Sequence, residues 1–184
     1  MYKPNMIPSL KHNLLLCLLA CGGAQATEGD FQQPIQVSSG SQFVDGKNKT
    51  SVFKDNVRIE QGSLLIQADE VEVIASEGKG KEVFIATGNP TTYSQLMEDG
   101  SRISASAQRI QYRVNGRQIA LEGQAQFQQD NSMVKGDRII FDMDAEQLLA
   151  EGSKQGEERV TTVFQPEEKA AGNDNQNQKE PQEP

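Results

Sequence analysis

The sequence predicts an all-β chain, a stacked antiparallel roll of many short strands, on three observations. Apolar side chains recur two apart through most of the chain, helical periodicity is hard to find, and one segment superposes on another at a fixed shift. The alternation is plainest in Val57-Arg58-Ile59, Val71-Glu72-Val73, Ile110-Gln111-Tyr112-Arg113-Val114 and Ile139-Ile140-Phe141. A polypeptide with side-chain period two has one wet and one dry face only as a strand. Asp45-Gly46, Asp99-Gly100, Asn115-Gly116 and Gly88-Asn89-Pro90 read as turns between such runs, because Gly, Asn and Asp tolerate the backbone angles tight turns require.

The repeat orders these strands. Shifting Lys54–Phe141 by 68 residues lays Val57 on Ala125, Ile59 on Phe127, Ile66 on Val134, Asp69 on Asp137, Val71 on Ile139 and Val73 on Phe141, without a gap. A degenerate copy lies between them, from Gly88-Asn89-Pro90 to Ala107–Tyr112. A truncated one starts at Leu148-Leu149-Ala150-Glu151-Gly152, which echoes Ile119–Gly123. Units this short cannot close a core alone, so neighbours must stack, and the two end strands stay unpaired unless something covers them.

The ends of the chain have a different composition. Residues 1–26 carry Lys3, Lys11, the apolar run Leu14–Ala20 and the small-x-small site Ala24-Gln25-Ala26, the pattern of an export signal cleaved after Ala26. Leu18–Gly22 also approximates a lipoprotein box, in which Cys21 would be acylated; either route delivers the protein outside the cytoplasm, and cleavage predicts a periplasmic location. Residues 27–165 form the expected folded domain, and 166–184, polar and nearly free of large apolar groups, an expected disordered tail.

Removing residues 1–26 removes His12, Cys17 and Cys21, which are the chain's entire stock of His and Cys. Imidazole bases, thiolate nucleophiles, His–metal sites and disulfides are then unavailable, and no cofactor or metal is expected. The same cleavage takes two lysines and no acid, leaving 16 basic against 26 acidic side chains, a net charge of −10 that disfavours nucleic-acid partners.

The remaining chemistry is sparse. Asp69 and Asp137 could pair as glycosidase carboxylates, but the repeat explains both as a turn in which Asp, after a small residue, opens a strand and bonds nearby amides. Asp142 and Asp144 lack the loop of a Ca²⁺ site and read as the solvated face of a strand. Gly78-Lys79-Gly80-Lys81 lacks the spacing of a phosphate loop and reads as a polar hairpin tip. The expectation is a protein without catalytic residues.

What remains is the interior. Ile35, Val37, Val57, Ile59, Val71, Val73, Tyr93, Tyr112, Val114, Phe127, Val134, Ile139 and Phe141 supply apolar rows of modest size. They make an ordinary core, or they line a groove between two sheets that few aromatics fill. Such a groove suits acyl chains, each buried methylene contributing about 0.8 kcal/mol.

The strings Lys54–Val73 (KDNVRIEQGSLLIQADEVEV), Thr87–Tyr93 (TGNPTTY), Leu121–Phe141, Gly156–Pro166 (GEERVTTVFQP) and Gln33–Val37 (QPIQV) together resemble the OstA-like family, from about residue 28 to 166. One departure is Asp55, where the family unit usually has Gly. The resemblance implies an open, taco-like β-jellyroll that carries lipopolysaccharide from inner to outer membrane. Lipid A acyl chains would lie in its trough, and copies would join head to tail. It also implies an LptC-like inner-membrane partner at the N-terminal edge (Ile35, Val37) and an LptD-like outer-membrane partner at the C-terminal edge (Val160, Val163, Phe164). The competing readings are a secreted carboxylate-dependent carbohydrate enzyme and a purely structural periplasmic filament.

Overall fold

A computed structural model describes residues 29–97, 99–153 and 159–165. The expected leader with His12, Cys17 and Cys21, and the expected tail 166–184, lie outside the described residues. Ten strands form one antiparallel sheet: β1 (Gln36–Ser38), β2 (Ser41–Asp45), β3 (Thr50–Gln61), β4 (Leu64–Ile74), β5 (Val83–Leu96), β6 (Arg102–Arg113), β7 (Gln118–Gln129), β8 (Ser132–Asp142), β9 (Gln147–Glu151) and β10 (Thr161–Phe164). Six of them, β3 to β8, are long and pair in chain order as a meander. β1 and β2 both pair with β3, and β9 and β10 both pair with β8. Among the described residues no helix is long and apolar enough to cross a membrane.

Each long strand is two short ones joined at an irregularity. The register slips between Lys54 and Val57, Gln67 and Glu70, Thr87 and Thr91, Ser106 and Arg109, and Glu122 and Ala125, so a line of bulges crosses the sheet. Bulges bend strands and sharpen their twist, and here they divide the sheet into two leaves. The first leaf is flanked by β2 and β9, the second by β1 and β10. The leaves face each other: Tyr112 Oη, on the first, donates to Gln61 Oε1, on the second, at 2.9 Å, although β3 and β6 are not neighbours in the sheet.

The 68-residue repeat is structural. β3 and β4 superpose residue for residue on β7 and β8, and the slip between Lys54 and Val57 recurs between Glu122 and Ala125. The residues at the two bulges, Asp55-Asn56 (φ 69°, 54°) and Gly123-Gln124 (φ 77°, 51°), are all left-handed. Gly meets that conformation without strain, and Asp and Asn bear it better than most side chains. This is why Asp55 can stand where the second copy of the repeat has Gly123.

Three expectations need correction. Gly88-Asn89-Pro90 is not a turn between strands but the bulge inside β5. A local reading of Gly and Pro cannot tell a reversal from a bend. Asp69 and Asp137 do not open strands; both lie at mid-strand bulges, four strands apart in one sheet. At about 4.8 Å per strand that is roughly 19 Å, well beyond a glycosidase pair. Asp142 is not merely solvated. Its Oδ1 accepts from the backbone N–H groups of Asp144 (3.1 Å) and Ala145 (2.9 Å), shaping the β8–β9 turn, while Arg117 donates to Asp144 at 2.8 Å. Asp45 serves the β2–β3 turn in the same way through Lys47 and Asn48, whose amide bonds hold its carboxyl below the usual range.

The outer face of the first leaf carries a ladder of opposite charges across paired strands. Lys54 meets Glu70 at 3.0 Å, Arg109 meets Glu122 at 2.7 Å, and Arg138 meets Glu151 at 3.0 Å. These side chains are substantially exposed, so the ladder contributes little stability per pair. Its main effect is to keep the outer surface wet.

Candidate functional site

The inward-facing residues form continuous rows that run across the strands. Val37, Ile59, Ile66, Tyr93, Ala105, Phe127, Val134 and Thr162 share one row on the second leaf. On the first leaf, Val44, Ser51, Val73, Phe84, Tyr112, Ile119, Phe141 and Leu148 share another. Period-two alternation along every strand, combined with in-register pairing, forces this stacking. The rows of both leaves meet in one hydrophobic cluster.

All thirteen residues expected to line a groove face this interior, in two environments. Val57, Ile59, Val71, Tyr93, Tyr112, Phe127, Ile139 and Phe141 are buried in closed packing between the leaves. Ile35, Val37, Val73, Val114 and Val134 are half-buried and pack against the cluster. Four of these five, Ile35, Val37, Val73 and Val114, line a cavity of about 500 Å³ at the N-terminal end of the roll. Phe31, Phe53 and Phe84 complete its apolar wall, with Gln61, Lys79 and Glu82 at its polar boundary. The interior in this structure is therefore a packed centre with a mouth at its N-terminal end. Phe84 stacks on Tyr112 and Phe127 lies against Phe141, their ring centroids 6.1 and 5.0 Å apart, so the few aromatics fill more of the centre than their number suggested.

Polar groups inside the roll are tied to the mouth. Tyr112 bonds Gln61, whose Nε2 donates to the carbonyls of Gln33 (3.1 Å) and Phe31 (3.3 Å). Tyr93 donates to Gln95 Oε1, and Gln95 Nε2 donates to Asp30 Oδ2 at 3.1 Å. Burial pushes the phenol of Tyr112 up to about 12 and that of Tyr93 higher still, so both are neutral donors. Among the described residues, no cluster of His, Cys, Asp and Glu could hold a metal ion.

The ends of the sheet are the second feature. On the N-terminal side β2 exposes Phe43 (67%) and Val44 (59%); on the C-terminal side β9 exposes Leu149 (54%) and β10 exposes Val163 and Phe164 (76%). Among the described residues no strand lies beyond them, which leaves these apolar side chains wet. Of the edge residues expected from the sequence, Val37 is in β1 and Val163 and Phe164 are in β10, while Ile35 and Val160 lie one residue outside.

A fold of ten antiparallel strands, two leaves and no closure can be compared with known proteins. The family described as LptA/(LptD N-terminal domain) LPS transport protein matches residues 36–147. The chain belongs to this family. It is similar to the lipopolysaccharide export system protein LptA of Escherichia coli K12, 36% identical over 167 residues, covering 90% of this chain and 89% of that protein. It is also similar to the LptA of Haemophilus influenzae, 34% identical over 155 residues, 83% and 89% of the two chains. The crystal structure of LptH from Pseudomonas aeruginosa, described as the LptA-homologous periplasmic component of the lipopolysaccharide transport device, superposes with a TM-score of 0.69. It is 26% identical and covers 76% of this chain and all of that one. The OstA-like resemblance and the open all-β fold are thus borne out.

Against this LPS transport family fold, the sequence reading missed β2 and the apolar turn before β1. Phe43-Val44 could have been found from the Asp45-Gly46 turn that follows it, which marks a hairpin with β3. Phe31 carries no periodic signal, being one aromatic in a polar stretch, and only the fold brings it to the mouth.

Proposed function

We propose that this protein is a periplasmic, lipopolysaccharide-binding bridge. It shields lipid A acyl chains in its apolar interior and assembles head to tail between the inner and outer membranes, without catalysing a reaction. The relatives are named as lipopolysaccharide export proteins, and the apolar rows supply the interior such a role needs. LptC-like and LptD-like proteins are the expected neighbours at the N-terminal and C-terminal edges.

The observation that carries the reading is the strand phase at the two ends. β9 and β10 run antiparallel to β8, hence in the direction of β3, β5 and β7; β1 and β2 run antiparallel to β3, hence in the direction of β4, β6 and β8. A second copy set against the first therefore meets antiparallel neighbours on both leaves at once. Extending the rows gives the register. Leu149 falls opposite Phe43 of the next copy on the outer face, and Leu148 opposite Val44 on the inner face. On the second leaf Thr162 falls opposite Val37, and Phe164 beside Ile35. Every large apolar side chain exposed on these edge strands except Val163 finds an apolar partner. Such a heterologous joint does not close on itself, so it generates a filament rather than a ring.

Site-specific photo-crosslinking tests the lipid half of the proposal. A photoreactive residue at Val73 or Val114, at the mouth, is expected to yield a lipopolysaccharide adduct in cells. One at exposed Thr87 on the outer face is expected to yield none. Equal labelling at both, or none at the mouth, would overturn the acyl-shielding role; a purely structural filament gives the latter result.

A further inference from the structure

The 3-10 turn Asp30–Gln32 lies outside the meander, yet it is bonded to both leaves. On the second leaf, Asp30 accepts from Ser63 N–H at 2.8 Å, from the Ser63 hydroxyl and from Gln95 Nε2 at 3.1 Å. On the first leaf, the Arg117 guanidinium sits 4.5 Å from the centroid of the Phe31 ring. Between them, Gln61 holds the carbonyls of Phe31 and Gln33 while accepting from Tyr112 across the leaves. The bulge line is the hinge side of the two leaves, and Ser63 and Arg117 mark the hairpin tips opposite it. The turn therefore spans the side on which the leaves part.

Gly62 supplies an independent sign that this contact is built in. A Cβ there would lie 2.1 Å from Asp30 Oδ1 and 2.8 Å from the Asp30 backbone, so the turn seats only against a glycine, which also takes φ +60°.

We propose that residues 30–33 form a releasable clasp across the seam of the roll, which governs access to the apolar interior. The clasp rests on the reading of that interior as a binding site. When it is seated, Phe31 forms part of the wall of the 500 Å³ mouth and the leaves are pinned together through Gln61 and Tyr112. When it lifts, Phe31 leaves the mouth, Asp30 and Gln95 pass to water, and the tips are free to separate about the bulges. The bonds are polar and few, and those to Ser63 lie at the exposed rim, as expected of a contact that opens locally before the core does.

Two variants of the full chain bracket the idea. Asp30→Ala with Phe31→Ala unseats the clasp; Asp30→Cys with Ser63→Cys, whose native side chains touch, locks it by a disulfide that a reductant reverses. The probes are a fluorescent acyl-chain analogue, for entry rate, and amide hydrogen exchange at Gln61 and Tyr112. Losing a charge-assisted hydrogen bond is expected to raise exchange and entry about tenfold in the unseated variant. The oxidised locked variant should be slower than wild type, and reduction should restore it. Equal exchange in all three forms overturns the clasp. If the analogue binds no form, the binding-site reading fails, and hydrogen exchange alone decides whether the turn pins the leaves.

Discussion

Blocking one edge at a time gives the sharpest test of assembly, because each copy has two different ends. Phe43→Lys blocks the N-terminal edge and Leu149→Lys the C-terminal edge, leaving the other end intact in each case. Phe43 is 67% exposed and Leu149 54% exposed in the single chain. Burying the exposed part of both side chains in a joint contributes about 2 kcal/mol, or roughly thirtyfold in Kd. A lysine facing the surviving apolar partner removes that contribution. Sedimentation velocity should show concentration-dependent oligomers for the wild type and monomers for each variant alone. An equimolar mixture should give dimers and nothing larger, since the intact C-terminal edge of the Phe43 variant meets the intact N-terminal edge of the Leu149 variant. Polymers from either variant alone, or monomers only from the mixture, would refute the register of Leu149 on Phe43.

Four further outcomes are expected. Asp55→Gly, which places glycine at φ 69° as Gly123 does at φ 77°, should raise unfolding stability by about 1 kcal/mol in a urea titration. Ile110→Ala, at the closed centre with no exposed surface, should lower it by about 3 kcal/mol. Tyr112→Phe leaves Gln61 Oε1 without its donor, at a cost of about 1–2 kcal/mol. The Tyr112 phenol, ordinarily near 10.0, is raised to about 12 in the folded chain, so its contribution is whole below pH 10 and is lost as pH climbs through 12. Alkaline unfolding should accordingly be shallower in the Phe variant than in the wild type. Finally, lipopolysaccharide affinity measured by calorimetry should barely fall between about 50 and 300 mM salt, because a chain of formal net charge −8 would hold the lipid by its tails; a steep decline would mean that headgroup charge dominates.

The repeat made much of this architecture legible, because strands that stack in register must repeat their inward residues. Val57, Ile59, Val71 and Ile139 were all readable as interior by alternation alone, and the structure buries each of them. The bulge was harder to read. Asp55-Asn56, Gly88-Asn89-Pro90 and Gly123-Gln124 carry turn chemistry, yet each bends a strand instead of reversing it, since the pairing resumes on the far side. What decides between the two outcomes is whether a neighbouring strand continues past the bend, and that information is nonlocal. Asp30 and Phe31 were unreadable for the same reason: their partners Ser63, Gln95 and Arg117 lie far away in the chain.

Each leaf is eight strands deep, from β2 to β9 on one side and from β1 to β10 on the other. Eight is even, and only an even depth returns the chain direction to the phase at which a following copy can join antiparallel. In the proposed filament, lengthening or shortening of the roll is thereby restricted to whole hairpins, in steps of roughly 9.6 Å. Losing a single strand would set the joined ends parallel in such a filament, like a tile whose pattern no longer meets at the border.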